Sequence, residues 1–193
     1  PEDYDYILHL AGQSSGEISF ENPIEDLSKN TSSTINLINH GINCKAKKLI
    51  FASSMSIYGN YKTKIKENFI LNPLSCYGVS KLASENYLRI FSKKIPYVSL
   101  RMFNVYGPGQ DLNNLKQGMV SIYLAQAIKK NKIIVKGSLN RVRDFIYIDD
   151  VVDIWIKAIL NKKIINKSFN VGTGVPTSVK KLISIIIKNF KGC

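Results

Sequence analysis

The chain is 193 residues long, 45% of them hydrophobic, with 27 basic and 14 acidic side chains and a formal net charge of +13. No apolar run reaches the roughly 18 residues that cross a bilayer, Pro1–Tyr4 shows no basic-then-apolar signal, and Cys44, Cys76 and Cys193 with two histidines give no zinc-site spacing. The positive charge lies in short lysine runs at element ends (Lys45, Lys47, Lys48; Lys129, Lys130, Lys132; Lys162, Lys163, Lys167) without interleaved aromatics, which reads as solvated surface and not a nucleic-acid face.

Short apolar runs alternate with amphipathic stretches along the chain. Tyr6–Leu10 is a predicted strand running into Ala11-Gly12. A predicted helix opens at Asn22 as cap, with Pro23 at its first position and Glu25 closing a capping-box-like pattern, and it ends at Gly41. Leu49–Ala52, apolar throughout, predicts a strand covered on both faces. A polar loop over 59–73 leads to a helix over 75–93, where Val79, Leu82, Ala83, Ile90 and Phe91 have helical spacing. Val98–Val105 predicts a third strand. Next come a helix over 117–130, short strands at Ile133–Val135 and Phe145–Ile148, and a helix opened by Asp149-Asp150. Ser168–Val171 is the last predicted strand, and Thr177 caps the last helix. This alternation means βαβ units and a parallel sheet. No glycine-rich GxGxxG-type turn follows the first strand. A piece of a doubly wound fold is therefore expected, inactive and prone to aggregate by itself because a central sheet edge would stand unpaired.

Tyr77 and Lys81 stand at i and i+4 on one helix face. A phenol, with an ordinary pKa of about 10, is a poor base near neutrality. A nearby ammonium favours the phenolate, and the same group can donate to a ribose hydroxyl. Tyr58 and Lys62 share that spacing, but Gly59-Asn60 between them reads as a turn. Ser53 and Ser54 close a strand at the edge where ligands bind in open α/β sheets, so Ser54 is placed to share a hydrogen bond with Tyr77. Cys76 reads as a packed thiol, His9 as a hydrogen-bonded strand-end residue, His40 as a partner of its helix dipole and Trp155 as core.

His9-Leu10-Ala11-Gly12, Ser53-Ser54 with Tyr58-Gly59, Tyr77-Gly78-Val79-Ser80-Lys81, Arg101–Gly109, Arg143–Asp150 and Phe169–Gly172 cover almost the whole chain in this order. Together they resemble the extended short-chain dehydrogenase/reductase family, in its NAD-dependent nucleotide-sugar epimerase/dehydratase branch. The resemblance implies an α/β doubly wound parallel-sheet Rossmann fold, here a fragment lacking the first βαβ units and the C-terminal end of the substrate domain. Residues 1–110 would be the C-terminal part of the NAD-binding domain with its catalytic helix. Residues 111–193 would be a partial substrate-binding region interleaved with the last Rossmann strands. Ser54, Tyr77 and Lys81 would be catalytic, with NAD as cofactor. Leu10, Ala11 and Gly12 would line the adenine-nucleotide side of NAD, Asn30 would steady the loop or cofactor, Ala52 and Ser53 would pass under the nicotinamide, and Phe103 would pack near it. Asn104 would touch the sugar diphosphate, Val120 with Ile134, Val135 and Lys136 would frame the base, and Arg143 would grip the diphosphate through its forked guanidinium. Leu10, Phe103, Val120 and Ile134 also read as core residues, and Arg143 as the partner of Asp144 or Asp149. The partners implied are a nucleotide sugar and a second copy of the complete protein, with neither nucleic acid nor membrane, in the cytoplasm.

The residues after Ser54 discriminate among reactions. Sugar 4,6-dehydratases of the family place Asp then Glu there, and 3,5-epimerase/reductases place a cysteine; this chain has Met55 and Ser56. What remains is the cycle that needs only Ser54, Tyr77 and Lys81, epimerisation at C4 of a nucleotide-activated hexose, most simply a UDP-hexose. A 4-ketoreductase using NAD(P)H, or a noncatalytic Rossmann binding module, is the alternative.

Overall fold

The computed structural model describes residues 4–61 and 63–190, and the chain divides into two compact units, Pro1–Met102 with Val152–Val171 and Phe103–Val151 with Gly172–Cys193. In the first unit, strands β1 (Tyr6–His9), β2 (Lys48–Ser54), β3 (Tyr97–Met102) and β6 (Lys167–Val171) form an all-parallel sheet in the order β1-β2-β3-β6. Every residue of β2 is buried, as a strand paired on both sides and covered on both faces requires. Ile7, Leu49, Phe51 and Tyr97 from the strands pack with Ile38 of helix α3 (Ser33–Asn43) and Leu88 of helix α4 (Cys76–Ile90). Because the strands are parallel, His9, Ser54, Met102 and Val171 end at one edge of the sheet.

The predicted helix over 22–41 is three segments, α2 (Pro23–Leu27), a π turn (Ser28–Ser32) and α3. The extra residue of the π turn lets Asn30 and Thr31, neighbours in sequence, both lie buried. A short helix α1 (Gly16–Glu21), capped by the Ser15 hydroxyl, precedes them without having been expected. Gly41 does not end α3, which runs on to Asn43; Lys45 takes the left-handed position at φ 54°. Gly41 is needed for close approach, since a Cβ there would collide with Ile95 and Ile7.

Lys48 departs from the reading of lysines as solvent-facing. It is buried at 3% exposure, and its ammonium donates to the carbonyls of Ala158 (2.8 Å) and Asn161 (2.9 Å), at the C-terminal end of helix α6 (Ile148–Leu160). A cation there answers both the orphan carbonyls and the helix dipole, while burial lowers its pKa. Lys48→Met is expected to cost about 1–2 kcal/mol, read as a lower denaturation midpoint at unchanged m-value; an unshifted midpoint would refute the capping role.

In the second unit, β4 (Asn104–Tyr106) pairs parallel with β5 (Val142–Tyr147), which pairs antiparallel with β7 (Pro176–Ser178). Helices α5 (Met119–Lys130) and α7 (Val179–Asn189) bury Tyr123, Ala127, Val179, Leu182 and Ile186 against each other. The third predicted strand is thus two: β3 stops at Met102 and β4 begins at Asn104 in another sheet. Ile133–Val135 is not a strand; Ile133 and Val135 pack on the core of this unit, and Ile134 is exposed while its N–H donates to Gln126 Oε1. Thr177 lies in β7, and Ser178 caps α7, accepting from the Lys181 N–H at 3.1 Å. Among the described residues no helix is long and apolar enough to cross a membrane.

Candidate active site

Ser54 is the last residue of β2, and the chain turns there into a single 3₁₀ turn, Met55–Ile57, whose Ser56 N–H donates to the Ser54 hydroxyl at 3.1 Å. Helix α4 starts with the Ser75 hydroxyl accepting from the Gly78 N–H, which fixes its first turn beside the end of β2. Tyr77, Lys81 and Glu85 follow one another at four-residue spacing and all three are buried. The Ser54 hydroxyl donates to the Ser56 hydroxyl at 3.1 Å and lies near enough to the Tyr77 phenol to act on its pKa. The Lys81 ammonium lies 5.7 Å from the centre of the Tyr77 ring and 4.9 Å from that of Phe51. Three groups expected to act together therefore converge.

Gly78 permits this approach. A Cβ on it would stand 2.7 Å from the Ser56 carbonyl oxygen and 2.9 Å from Pro73 Cβ. Gly78→Ala, ordinarily favourable in a helix, is therefore expected to cost about 1–3 kcal/mol through overpacking and to lower turnover with it, since Ser56 adjoins the Ser54 contact. A variant melting at or above the parent would contradict this.

The electrostatics differ from the simple expectation of a lysine lowering a phenol. Burial pushes the Tyr77 pKa up, the nearby Ser54 hydroxyl draws it back, and the Asp26 carboxylate raises it further. Burial lowers Lys81 to about 8, while Asp26 acts to raise it. Desolvation disfavours both charged forms.

Asp26 was not anticipated from the sequence. Its carboxylate, 1% exposed, accepts from Gln13 Nε2 (2.8 Å), Asn30 Nδ2 (3.0 Å) and the Ser80 hydroxyl (2.6 Å). It thus binds the π turn to α4 directly before Lys81. Asn30 Oδ1 is buried without a hydrogen-bond partner and faces Gly12, where a Cβ would sit 2.5 Å from it. His9 Nε2 lies 2.9 Å from Thr34 Oγ1, whose own proton goes to the Asn30 carbonyl at 2.7 Å, so the imidazole is the donor. Burial, then Lys81, lowers the His9 pKa to about 4, which leaves the ring neutral.

Leu10, Ala11 and Gly12 form an exposed segment off the C-terminal end of β1. Ala52 and Ser53 are buried within β2, and the Ser53 hydroxyl is committed to Glu85 Oε1 at 2.5 Å, on the strand face opposite Ser54. That carboxylate also takes Arg101 through Nε (3.0 Å) and the second guanidinium nitrogen (2.7 Å), and Ser168 at 3.2 Å. Arg101 donates on to the Tyr58 hydroxyl at 2.7 Å, which donates to Asn170 Oδ1 at 2.7 Å. Tyr58 is therefore a fully buried structural tyrosine, and its sequence counterpart Lys62 lies outside the described residues. Glu85 continues the Tyr77–Lys81 row, a spacing that marks it in retrospect.

In the second unit Phe103 is half-buried, and Asn104 Nδ2 donates to the Asp144 carbonyl at 2.9 Å. Val120 packs on the core of α5 and α7, Ile134 and Lys136 are exposed, and Arg143 donates to the Val142 carbonyl at 2.8 Å. Arg143 has no ion pair with Asp144, whose carboxylate instead holds the Thr173 and Gly174 N–H groups at 2.9 and 2.7 Å.

A model of the NAD dependent epimerase/dehydratase family matches residues 1–172. A putative UDP-glucose 4-epimerase of Methanocaldococcus jannaschii is 38% identical over 190 residues, 96% of this chain and 61% of that protein. The dTDP-4-dehydro-6-deoxyglucose reductase of Escherichia coli is 33% identical, over 93% of this chain and 57% of its own length. Among solved structures, the UDP-glucose 4-epimerase of Thermotoga maritima with UDP-glucose superposes with a TM-score of 0.90 at 34% identity, covering 95% of this chain and 60% of that one. The chain spans about 60% of the length of these relatives.

Proposed function

From the fact that this chain belongs to the NAD-dependent epimerase/dehydratase family, we propose that it carries the catalytic helix of an enzyme that inverts C4 of a nucleotide-activated hexose. The observation that carries the reading is the convergence of Ser54, Tyr77 and Lys81 next to a turn in which Met55 and Ser56 supply no carboxylate. Without an acid or base of that kind, elimination of water across neighbouring sugar carbons has no group to move the second proton. Proton exchange at one hydroxyl needs only a phenol.

The residues present suit NAD. The Lys81 ammonium has no hydrogen-bond acceptor among the described residues and is available to a ribose hydroxyl, and Gly12 leaves the space beside Asn30 Oδ1 that a side chain would fill. Bound NAD supplies the hydride acceptor and donor. Tyr77 takes the proton from the sugar 4-hydroxyl and later returns it, Ser54 orients that hydroxyl through its contact with the phenol, and Lys81 holds the ribose and favours the phenolate.

The test is turnover without added reduced cofactor. UDP-glucose and UDP-N-acetylglucosamine, supplied to the complete protein, are expected to give their C4 epimers. No turnover of either sugar, with stoichiometric oxidation of NADH or NADPH on a nucleotide-linked 4-keto sugar, would replace this reading by a 4-ketoreductase, which the likeness to the reductase of Escherichia coli favours.

A further inference from the structure

Arg141, directly before β5, and Arg143, its second residue, are separated by Val142 on a segment whose antiparallel pairing runs on to the Val179 N–H, so both side chains leave the same face. The backbone beneath them is firmly held. The Arg141 carbonyl accepts from the Val179 N–H at 2.9 Å, its N–H donates to Ser138 at 3.2 Å, and Arg143 pairs with Thr177 of β7. The guanidinium groups are not held in the same way. Arg141 Nε is buried with no hydrogen-bond partner, and no carboxylate pairs with either arginine among the described residues. The Asp144 carboxylate, next in sequence to Arg143, is taken up by the amides of Thr173 and Gly174. Burial, then the like charge of Arg141, lowers the Arg143 pKa.

Two cations side by side, one with a buried unpaired donor, are costly unless an anion completes them. We propose that Arg141 joins Arg143 in a paired-guanidinium site for the diphosphate of a nucleotide, one fork for each phosphoryl group. This rests on the nucleotide-sugar reading and goes beyond it, because Arg141 carried no assignment on sequence grounds. A forked guanidinium takes two phosphoryl oxygens at once, which a lysine cannot. The competing account is that Arg141 merely packs the turn at Gly137, whose Cβ position lies 3.5 Å from Arg141 Nη1.

The experiment is calorimetric titration of the complete protein with UDP, dTDP and GDP, continued with whichever binds tightest. Arg141→Met is expected to weaken that nucleoside diphosphate at least about tenfold, with Arg141→Lys recovering only part of the loss and the salt dependence becoming shallower. Affinity for NAD is expected to stay unchanged. A lower melting temperature with intact diphosphate affinity in both variants would assign Arg141 to the turn and overturn the proposal. Equal weakening of NAD would overturn it too, by giving the site to the cofactor's pyrophosphate. Loss in Arg143→Met without loss in Arg141→Met would refute the pairing and leave the nucleotide-sugar reading standing; failure of all three nucleotides to bind the parent protein would sink both.

Discussion

Replacing Tyr77 by phenylalanine is expected to lower turnover in the proposed C4 inversion by about a hundred- to ten-thousand-fold, the range that a positioned acid-base group contributes. The substitution keeps the ring that packs under Lys81 and removes only the phenol oxygen that meets Ser54. The fold and the affinity for NAD should therefore survive, so a falling kcat at unchanged cofactor affinity separates this role from a structural one. The pH dependence has a definite sign. Lys81, lowered by burial to about 8, is an ammonium below that pH and loses its proton above it, so NAD affinity should decline as pH rises through about 8 and become flat in Lys81→Met. A Tyr77→Phe enzyme within a few-fold of the parent would end the proposed mechanism.

Glu85→Ala is expected to be the most damaging change to stability, at about 3–5 kcal/mol, the usual cost of leaving a buried partner charge unpaired. For a chain of this size that corresponds to a melting temperature lower by about 6–20 °C. The carboxylate accepts from Ser53, Arg101 and Ser168, on β2, β3 and β6, and Arg101 carries the chain of contacts on to Tyr58 and Asn170. One side chain on α4 thus joins three strands of the sheet. Removing both ions together, as Glu85→Leu with Arg101→Met, should cost less than Glu85→Ala alone, because no isolated charge remains. A Glu85→Ala chain that melts within 2 °C of the parent, a margin set by about 1 kcal/mol or less, would show that the network is not what ties helix to sheet.

The alternation of apolar runs and amphipathic stretches was sufficient to predict a parallel α/β sheet, and β2 falls where its run lies because a strand buried on both faces needs an unbroken apolar segment. The same rule misplaced Ile133–Val135, where Ile133 and Val135 satisfy the core from an irregular segment. It also merged β3 with β4, since Leu100–Val105 is apolar enough to read as one strand and the change of sheet at Phe103 is a tertiary event. The π turn left no periodic mark, because one extra residue shifts the pattern by less than a reading of about a dozen positions resolves. Within the site, Tyr77, Lys81 and Ser54 were legible as side-chain chemistry at fixed spacing. Asp26 was not: on sequence it is one of two acids in a helix's first turn, and only the fold shows that Glu25 stays outside while Asp26 meets Ser80 and Asn30.

The unit that carries Ser54, Tyr77 and Lys81 is discontinuous, since Val152–Val171 returns to it after the whole of Phe103–Val151 has been laid down. During synthesis β3 would emerge with one side unsatisfied, and the Lys48 ammonium would lack the carbonyls of Ala158 and Asn161, until roughly seventy further residues have followed. At about 5–20 residues per second that interval lasts several seconds. A nascent chain with an open strand edge for so long is a natural client for chaperones, and slow translation across the intervening segment would lengthen its exposure to wrong partners.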